Sequence, residues 1–258
     1  MYQFQAKSMF RIFGGIIDIL PVVAFLMLVF GCSNPNPLAT STKIATANEF
    51  EELRGADMVR AIEMYRDGNV DEGRILLRQL VADKNWNVRS NAIRTIWEVN
   101  DKVLLPEIYA ALKDKRLEVR ESASRALQFI GDQTSLPYLK SALLDPEPIV
   151  RCNAVEALGK LAGSSTVGIL NNILKTDIDL TVRATTARTL GSIHQEDAVP
   201  GLINALNDDS FAVRSEAALS LGEIGDSSSI PALEKAAEDP NIQVRNSAKN
   251  ALKKLLNR

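Results

Sequence analysis

Six arginines recur at an almost constant spacing along this 258-residue chain, and each directly follows a valine. Consecutive arginines lie 31, 31, 32, 31 and 31 residues apart. A regular stripe of guanidinium groups could bind an extended anion, because each group can form paired hydrogen bonds with a phosphate or carboxylate. The arginines are Arg89, Arg120, Arg151, Arg183, Arg214 and Arg245.

Aspartates at equally regular positions offer these arginines partners within the chain. An aspartate stands five residues before each of the six valines, beginning with Asp83. Stacked repeats bring equivalent positions side by side. The sequence therefore predicts a structural ladder of arginine–aspartate pairs rather than an anion-binding groove. Beyond Asp83, the aspartates are Asp114, Asp145, Asp177, Asp208 and Asp239.

Two further residues, Cys152 and His194, could carry chemistry. Cys152 follows Arg151 at a position that serine occupies in other repeats, and no nearby histidine or cysteine would activate its thiol. His194, the one histidine of the chain, stands where other repeats have a glycine, which indicates a helix-capping role. We therefore predict no catalytic residue, no metal site and no cofactor.

The spacing of the other residues defines the repeat. Counted from the valine, apolar or small residues recur at positions 0, +4, +7, +8 and +11, which is helix spacing. A turn residue at +12 ends this first helix (Gly131, Ala162, His194, Gly225), and we expect it to be left-handed. A proline at +18 opens a second helix (Pro106, Pro137, Pro200, Pro231). Each repeat is therefore predicted to be a helical hairpin.

The predicted fold class is all-α, a right-handed α-solenoid of about five helical hairpins flanked by caps. The stretch Asp208–Asp226 (DDSFAVRSEAALSLGEIGD) resembles the short bacterial HEAT-like repeat first associated with phycobiliprotein lyases, and the resemblance runs from about Asp83 to Arg258. It implies the fold strongly. It implies little about function, because that family includes lyase subunits, scaffolds and adaptors. Its metal-dependent hydroxylases use histidine–glutamate pairs, which His194-Gln195 does not match.

The two tryptophans occupy different positions of the repeat. Trp86 shares its position with Leu117, Pro148, Leu180, Phe211 and Ile242, so we assign it to the core. Trp97 stands where later repeats have glycine, and we expect it to pack against the N-terminal hairpin.

The polar face of the second helices is the predicted partner-binding face, because in HEAT-like solenoids these helices usually line the concave side. Tyrosines, amides and lysines suit a protein or peptide partner. An ordinary solvated surface is the competing interpretation. The residues assigned to this face are Tyr109, Tyr138, Lys140, Ser141, Asn171, Asn172, Asn204 and Lys235.

The N-terminal residues predict export. Lys7 and Arg11 precede an uninterrupted apolar run from Ile19 to Phe30, which is too short for a membrane span of about 20 residues. The run ends in Val29-Phe30-Gly31-Cys32, which resembles the lipobox of bacterial lipoproteins and implies lipidation of Cys32. By the same resemblance, the serine after Cys32 favours the periplasmic side of the outer membrane over the inner membrane. Met9 is an alternative start.

Four segments follow from these signals. Residues 1–31 are the lipoprotein signal peptide, and residues 32–47 are a flexible tether reaching at most about 50 Å. Residues 48–83 form an N-terminal helical hairpin cap, broken at Asp67-Gly68-Asn69, and residues 84–258 form the HEAT-like repeat domain.

The predicted function is a non-catalytic, monomeric scaffold or adaptor that binds a protein partner and is lipid-anchored at a bacterial envelope membrane. A net charge of −2 gives no basic excess for a nucleic acid. Two alternatives stay open: a phycobiliprotein lyase-like or chromophore-handling protein, and a structural assembly factor for an envelope complex.

Overall fold

The computed structural model describes the backbone of residues 47–257 and the side chains of residues 55–257. Residues Ala45–Arg258 form one compact unit. The predicted signal peptide, nearly all of the tether and Cys32 lie outside the described residues. Among the residues described, no helix is both long and apolar enough to cross a membrane.

The described chain contains thirteen α-helices and no strand, so the predicted all-α solenoid of helical hairpins is confirmed. An N-terminal hairpin consists of α1 (Ala47–Arg66) and α2 (Val70–Val81). The chain turns between them at Gly68, whose φ of 85° suits glycine.

Long and short helices alternate from Trp86 onward. The long helices are α3 (Trp86–Glu98), α5 (Leu117–Ile130), α7 (Pro148–Ala162), α9 (Leu180–Ile193), α11 (Phe211–Ile224) and α13 (Ile242–Leu256). The short helices are α4 (Leu105–Ala111), α6 (Leu136–Ala142), α8 (Val167–Thr176), α10 (Val199–Ala205) and α12 (Ile230–Ala236). A 3-10 turn precedes every short helix, and the four predicted prolines lie in the first turn of α4, α6, α10 and α12.

The turns after the long helices agree only in part with the predicted left-handed residue at +12. His194 and Gly225 are left-handed, and so is Asn100 at the same position. After α7 the residue with a positive φ is Gly163, one position later than predicted, and its ψ of −125° differs from the left-handed conformation of His194 and Gly225. Gly131 has a φ of −59°, so a left-handed turn is not the reason for glycine at this position. The reason is space, because a Cβ there would lie 2.4 Å from the carbonyl oxygen of Leu127.

One continuous core runs between the two layers of helices. In α7, Val150, Ala154, Ala157 and Leu158 are buried, as their helix spacing predicts. The short helices contribute buried leucines such as Leu139, Leu170 and Leu202. Because every member of the core lies within residues 58–255, the compact unit holds its own core.

Neighbouring long helices lie very close together. A Cβ added to Gly191 of α9 would lie 2.5 Å from Oγ of Ser220 in α11, and one added to Gly222 would lie 2.7 Å from Cα of Ala251 in α13. Small residues at +9 therefore let the backbones of the last three long helices approach one another.

Candidate functional site

The repeated arginines pair with aspartates of the following repeat. The Arg151 side chain donates from Nε to Asp177 Oδ2 and from Nη2 to Asp177 Oδ1, both at 2.8 Å. Its Nη1 donates to the carbonyl oxygens of Asp145 and Pro146 at 2.9 and 3.0 Å. Each guanidinium thus ties the loop of its own repeat to the loop of the next. The same two-point pairing joins Arg89 to Asp114, Arg120 to Asp145, Arg183 to Asp208 and Arg214 to Asp239.

Each aspartate of this ladder also organises its own loop. Asp177 Oδ1 accepts a hydrogen bond from the backbone N–H of Asp179 at 2.9 Å, and the other ladder aspartates bond the residue two positions on in the same way. Arg245 differs, because it donates to the carbonyl oxygens of Asp239 and Pro240 and makes no ion pair with the side chains of residues 55–257.

Hydrogen bonds from the arginines and from backbone N–H groups favour the ionised form of the ladder aspartates. Burial opposes ionisation of Asp177, but the bonds from Arg151 and from the Asp179 N–H outweigh it and hold the pKa below the ordinary value. The pKa values of Asp114 and Asp208 are lowered for corresponding reasons. Hydrogen bonds to the aspartates raise the pKa values of the paired arginines. Since these five guanidinium groups are paired with carboxylates, they do not form an open anion-binding stripe.

A further cross-repeat pair, absent from the sequence prediction, joins the N-terminal hairpin to the repeats. Arg74 Nε donates to Asp101 Oδ2 at 2.6 Å, and Tyr65 Oη donates to the same oxygen at 2.7 Å. Burial and the bond to Asp101 raise the Tyr65 pKa. Arg78 similarly pairs with Glu107 at 2.7 Å. Asp101 lies at +13, one residue after the left-handed Asn100. Aspartate recurs at this position as Asp132 and Asp226, but the recurrence did not indicate a partner on α2.

The structure divides the predicted partner-binding face among three grooves between short helices. Tyr109, Tyr138 and Ser141 line a groove of about 230 Å³ between α4 and α6. Asn171 and Asn204 line one of about 590 Å³ between α8 and α10, and Lys235 lines one of about 480 Å³ between α10 and α12. Lys140 and Asn172 are exposed but line none of these grooves.

The placement of Tyr109 on the outward face was wrong. Its side chain is buried and stacks on Tyr138, with ring centroids 3.9 Å apart. Its hydroxyl shares hydrogen bonds of 2.9 Å with Thr134 and 3.0 Å with Ser135. Hydroxyl groups in the next 3-10 turn make this burial possible, since a buried phenol needs a polar partner. Sequence spacing alone did not reveal them.

A fourth groove, of about 350 Å³, lies between the long helices α3 and α5. Trp86 and Trp97 line it near opposite ends of α3. Between them lie the amides Asn87 and Asn91, a serine pair and two arginines. The complete lining is Trp86, Asn87, Ser90, Asn91, Arg94, Trp97, Glu118, Glu121, Ser122 and Arg125. We call this the tryptophan groove.

The arginines of the tryptophan groove differ from those of the ladder. Arg94 and Arg125 occupy the +6 position of consecutive repeats, and both are exposed. Among the side chains described, those of residues 55–257, neither makes an ion pair, whereas Glu118 is paired with Arg116 at 2.8 Å. The sequence contains this signal as two arginines 31 residues apart, but the more regular Val-Arg series obscured it.

The assignment of Trp86 to the core was wrong, and Trp97 makes an aromatic contact that was not predicted. Trp86 is 36% exposed and lies beneath the guanidinium of Arg116, which is 5.1 Å from the ring centroid. Trp86 is the first residue of α3, so its side chain lies at the preceding loop and not in the core between the two layers of helices. Trp97 stacks on Phe129 of the following repeat, with centroids 4.3 Å apart, so its aromatic contact lies away from the N-terminal hairpin.

The candidates for chemistry fit structural roles. Cys152 is buried, and burial raises the pKa of its thiol. His194 is a left-handed C-cap with φ of 54°, so the capping prediction is confirmed. Among the described residues, no group of three or more histidine, cysteine, aspartate and glutamate side chains could hold a metal ion.

Stacked helical hairpins joined by an arginine–aspartate ladder define an α-solenoid. The family model for HEAT repeats matches residues 74–159, 125–185 and 169–253. The matches span more than half of the chain, and the protein therefore belongs to the HEAT repeat family.

Two solved structures with TM-scores above 0.5 agree with this fold. An engineered protein aligns with a TM-score of 0.52 at 20% identity, covering 84% of this chain and 66% of the other. YibA of Escherichia coli aligns with a TM-score of 0.52 at 23% identity, covering 71% and 68%. The complex of CpcE and CpcF of phycocyanin lyase from a Nostoc species aligns with a TM-score of 0.49 at 21% identity, covering 58% and 99%. A search of curated proteins found no match.

Proposed function

We propose that this protein is a non-catalytic scaffold that binds a protein partner through an extended segment of that partner. The observation that carries the proposal is the tryptophan groove, where two tryptophans and two arginines without ion pairs among the described residues line one surface. Tryptophan and arginine are the residue types that most often dominate binding energy at protein interfaces.

The ladder supports the groove, and not the repeated charges, as the proposed binding site. The charges that repeat in every hairpin are held in pairs between loops, so they support the fold and offer little to a ligand. Arg94 and Arg125 remain available to a carboxylate, and each guanidinium can donate two parallel hydrogen bonds. The favoured partner segment therefore carries at least one acidic side chain.

The groove dimensions suit a short extended peptide. Trp86 and Trp97 are eleven positions apart on one helix, which corresponds to about 16 Å. An extended chain of roughly five residues covers that length. Asn91 Nδ2 donates to Asn87 Oδ1 at 3.2 Å, and these amides, with the Ser90–Ser122 hydroxyl pair at 2.7 Å, can bond the peptide backbone.

A lipid anchor on Cys32 is the second part of the proposal, and it rests on the sequence pattern Val29-Phe30-Gly31-Cys32. Several acyl chains on one residue give stable attachment where a single chain is marginal. The expected location is a bacterial envelope membrane. The periplasmic side of the outer membrane is favoured over the inner membrane. A Cys32→Ser chain should leave the membrane fraction and take up no labelled lipid, and membrane retention with lipid labelling would refute the anchor.

Partner binding is tested by crosslinking in intact cells followed by purification of the crosslinked protein. Arg94→Glu combined with Arg125→Glu should abolish the crosslinked species, because both changes repel an acidic segment. Asn250→Glu is the matched control, since it places the same charge at the +6 position of α13.

The face on the short helices is tested in the same experiment with Tyr138→Glu and Asn172→Lys. Loss of the partner in these variants, with binding intact in the arginine double variant, would move the binding site to that face. No partner in the wild-type cells, or one unaffected by all four changes, would refute the scaffold proposal.

A further inference from the structure

Two stacked rings, Trp97 and Phe129, continue the lining of the tryptophan groove at the C-terminal ends of α3 and α5. Their centroids are 4.3 Å apart and their planes differ by 13°. Lys160 Nζ lies over the Phe129 ring, 5.5 Å from its centroid, and donates to the carbonyl oxygen of Gln128 at 2.7 Å. Phe129 is nevertheless 52% exposed. We call the two rings the aromatic pair. Such exposed apolar surface is stabilised by contact with an apolar side chain.

Glycine closes the corresponding surface in later repeats. Trp97 stands at +9, where α7, α9 and α11 have glycine. A Cβ added to Gly159 would collide with Cγ2 of Thr189, and the glycines of α9 and α11 meet the next long helix as closely. Gln128, at +9 of α5, donates to the backbone and side-chain oxygens of Asn153, both at 3.2 Å. Its amide therefore joins α5 to α7, and the aromatic pair belongs to the junction of α3 and α5.

Cations without an ion pair lie beside the aromatic pair. Arg94 and Arg125 precede the two rings by three and four residues, which is about one helical turn on each helix. The next two residues at +6, Glu156 and Arg188, pair with each other at 2.6 Å, and the last two carry no charge. Among the described side chains, a cation without an ion pair therefore occurs at +6 only in the tryptophan groove.

Acidic side chains border these arginines on both sides. Glu118 and Glu121 line the groove toward the start of α5, and Glu98 is exposed one turn after Arg94. Each would repel a carboxylate placed next to it. An acidic residue of a bound segment is therefore favoured beside Arg94 and Arg125, whereas the residue that reaches the aromatic pair should be apolar.

We propose that the segment bound in the tryptophan groove carries one acidic residue and one large apolar residue, two positions apart. The carboxylate bonds Arg94 and Arg125, and the apolar side chain packs against the aromatic pair. Residues two positions apart in an extended chain lie on one side at about 7 Å. That distance is close to the helical turn of about 5 Å between the arginines and the rings. This inference rests on the proposed function, because it specifies the segment that the partner presents.

The test uses residues 45–258, the compact unit that holds its own core. The chain contains two tryptophans, so two indole N–H signals in the NMR spectrum of the isotope-labelled protein report on the two ends of the groove. Trp86→Phe assigns them. The probe is the peptide acetyl-GGDGFG-amide, which should shift the Trp97 signal.

Three altered peptides test the motif. Replacing the aspartate of the probe by asparagine, or its phenylalanine by glycine, should each weaken binding by about tenfold, because a charge-assisted hydrogen bond or a buried ring is lost. Moving the phenylalanine next to the aspartate, as in acetyl-GGDFGG-amide, should weaken binding as well, because neighbouring side chains of an extended segment point to opposite sides.

Variants of the protein locate each half of the motif. Phe129→Ser should weaken binding of the probe by about tenfold and leave binding of the peptide without phenylalanine unchanged. Arg94→Gln with Arg125→Gln should weaken binding of the probe but not of the asparagine peptide. Phe211→Ser is the matched control, because it removes a phenylalanine that is 46% exposed on α11, and it should bind as wild type does. Circular dichroism checks that every variant is folded.

No shift of the Trp97 signal, equal binding of peptides that lack either residue, or equal losses in Phe129→Ser and Phe211→Ser would overturn the inference. Failure of the proposed function is a separate result, because it is read from the crosslinked species in cells. A crosslinked species that is lost in the arginine double variant but kept in Phe129→Ser would overturn the motif and leave the scaffold proposal standing.

Discussion

Arg151 and Asp177 belong to neighbouring repeats, yet two hydrogen bonds of 2.8 Å join the guanidinium of one to the carboxylate of the other. Both side chains are at least nine-tenths buried. The paired charges occur at every junction from α3 to α11, so the ladder holds successive repeats in register. Stability in such an array comes largely from contacts between neighbours, to which this pair contributes directly.

Arg151→Ala should lower the free energy of unfolding by about 3–5 kcal/mol, because it leaves the buried Asp177 carboxylate without its cation. Arg245→Ala is the control, since Arg245 contacts two carbonyl oxygens and makes no ion pair with the described side chains, residues 55–257. Its expected loss is about 1–2 kcal/mol. Urea unfolding followed by circular dichroism measures both, and equal losses would contradict a stabilising ladder.

Acid should weaken the fold through the ladder aspartates. Folding lowers the pKa values of Asp114, Asp177 and Asp208, so their stabilising contribution is complete above the unfolded value of about 3.9 and is lost as pH falls through the folded values. The urea midpoint should therefore fall below about pH 4. Asp177→Asn should make that fall shallower, and an unchanged slope would count against the assignment.

Gly222→Ala should destabilise the fold by about 1–3 kcal/mol, because the new Cβ would lie 2.7 Å from the Cα and the Cβ of Ala251. Backbone on the facing helix cannot move as a flexible side chain can. Gly168→Ala is the control, since a Cβ there meets nothing within 4 Å and alanine favours the helix. Thermal unfolding midpoints compare the two, and a stable Gly222→Ala would show that α11 and α13 can separate.

The Cys152 thiol should react slowly with a maleimide in the folded protein and rapidly after unfolding, because burial raises its pKa and blocks access. A mass shift after timed labelling measures the rate. Added bilin should give no covalent adduct at this cysteine. Rapid labelling, or an adduct, would favour the chromophore-handling alternative.

The sequence predicted the hairpins because local signals mark both ends of each helix. Prolines open four of the five short helices and left-handed residues close three of the six long ones, and helix spacing identifies core residues such as Val150 and Leu158. These signals depend on residues close together in the chain. These signals can therefore be recognised without knowing how the repeats stack.

Contacts between repeats were harder to predict. The partner of Arg151 lies 26 residues ahead, whereas the aspartate nearest in sequence offers it only a carbonyl oxygen. The surroundings of Trp86 and of Tyr109 likewise include side chains of the next repeat, Arg116 over the Trp86 ring and Ser135 at the Tyr109 hydroxyl. A repeat alignment gives the type of residue at each position but not the direction in which its side chain points.

A protein partner is proposed to bind in the tryptophan groove, whose arginines make no ion pair among the described side chains, and not along the arginine–aspartate ladder. A photocrosslinking amino acid placed at position 94, in the tryptophan groove, should capture a protein partner in intact cells. The same amino acid at position 250 tests the equivalent +6 site of α13, which is also exposed. We predict a discrete crosslinked species from position 94 and none from position 250. Equal crosslinking from both positions, or none from position 94, would contradict the account.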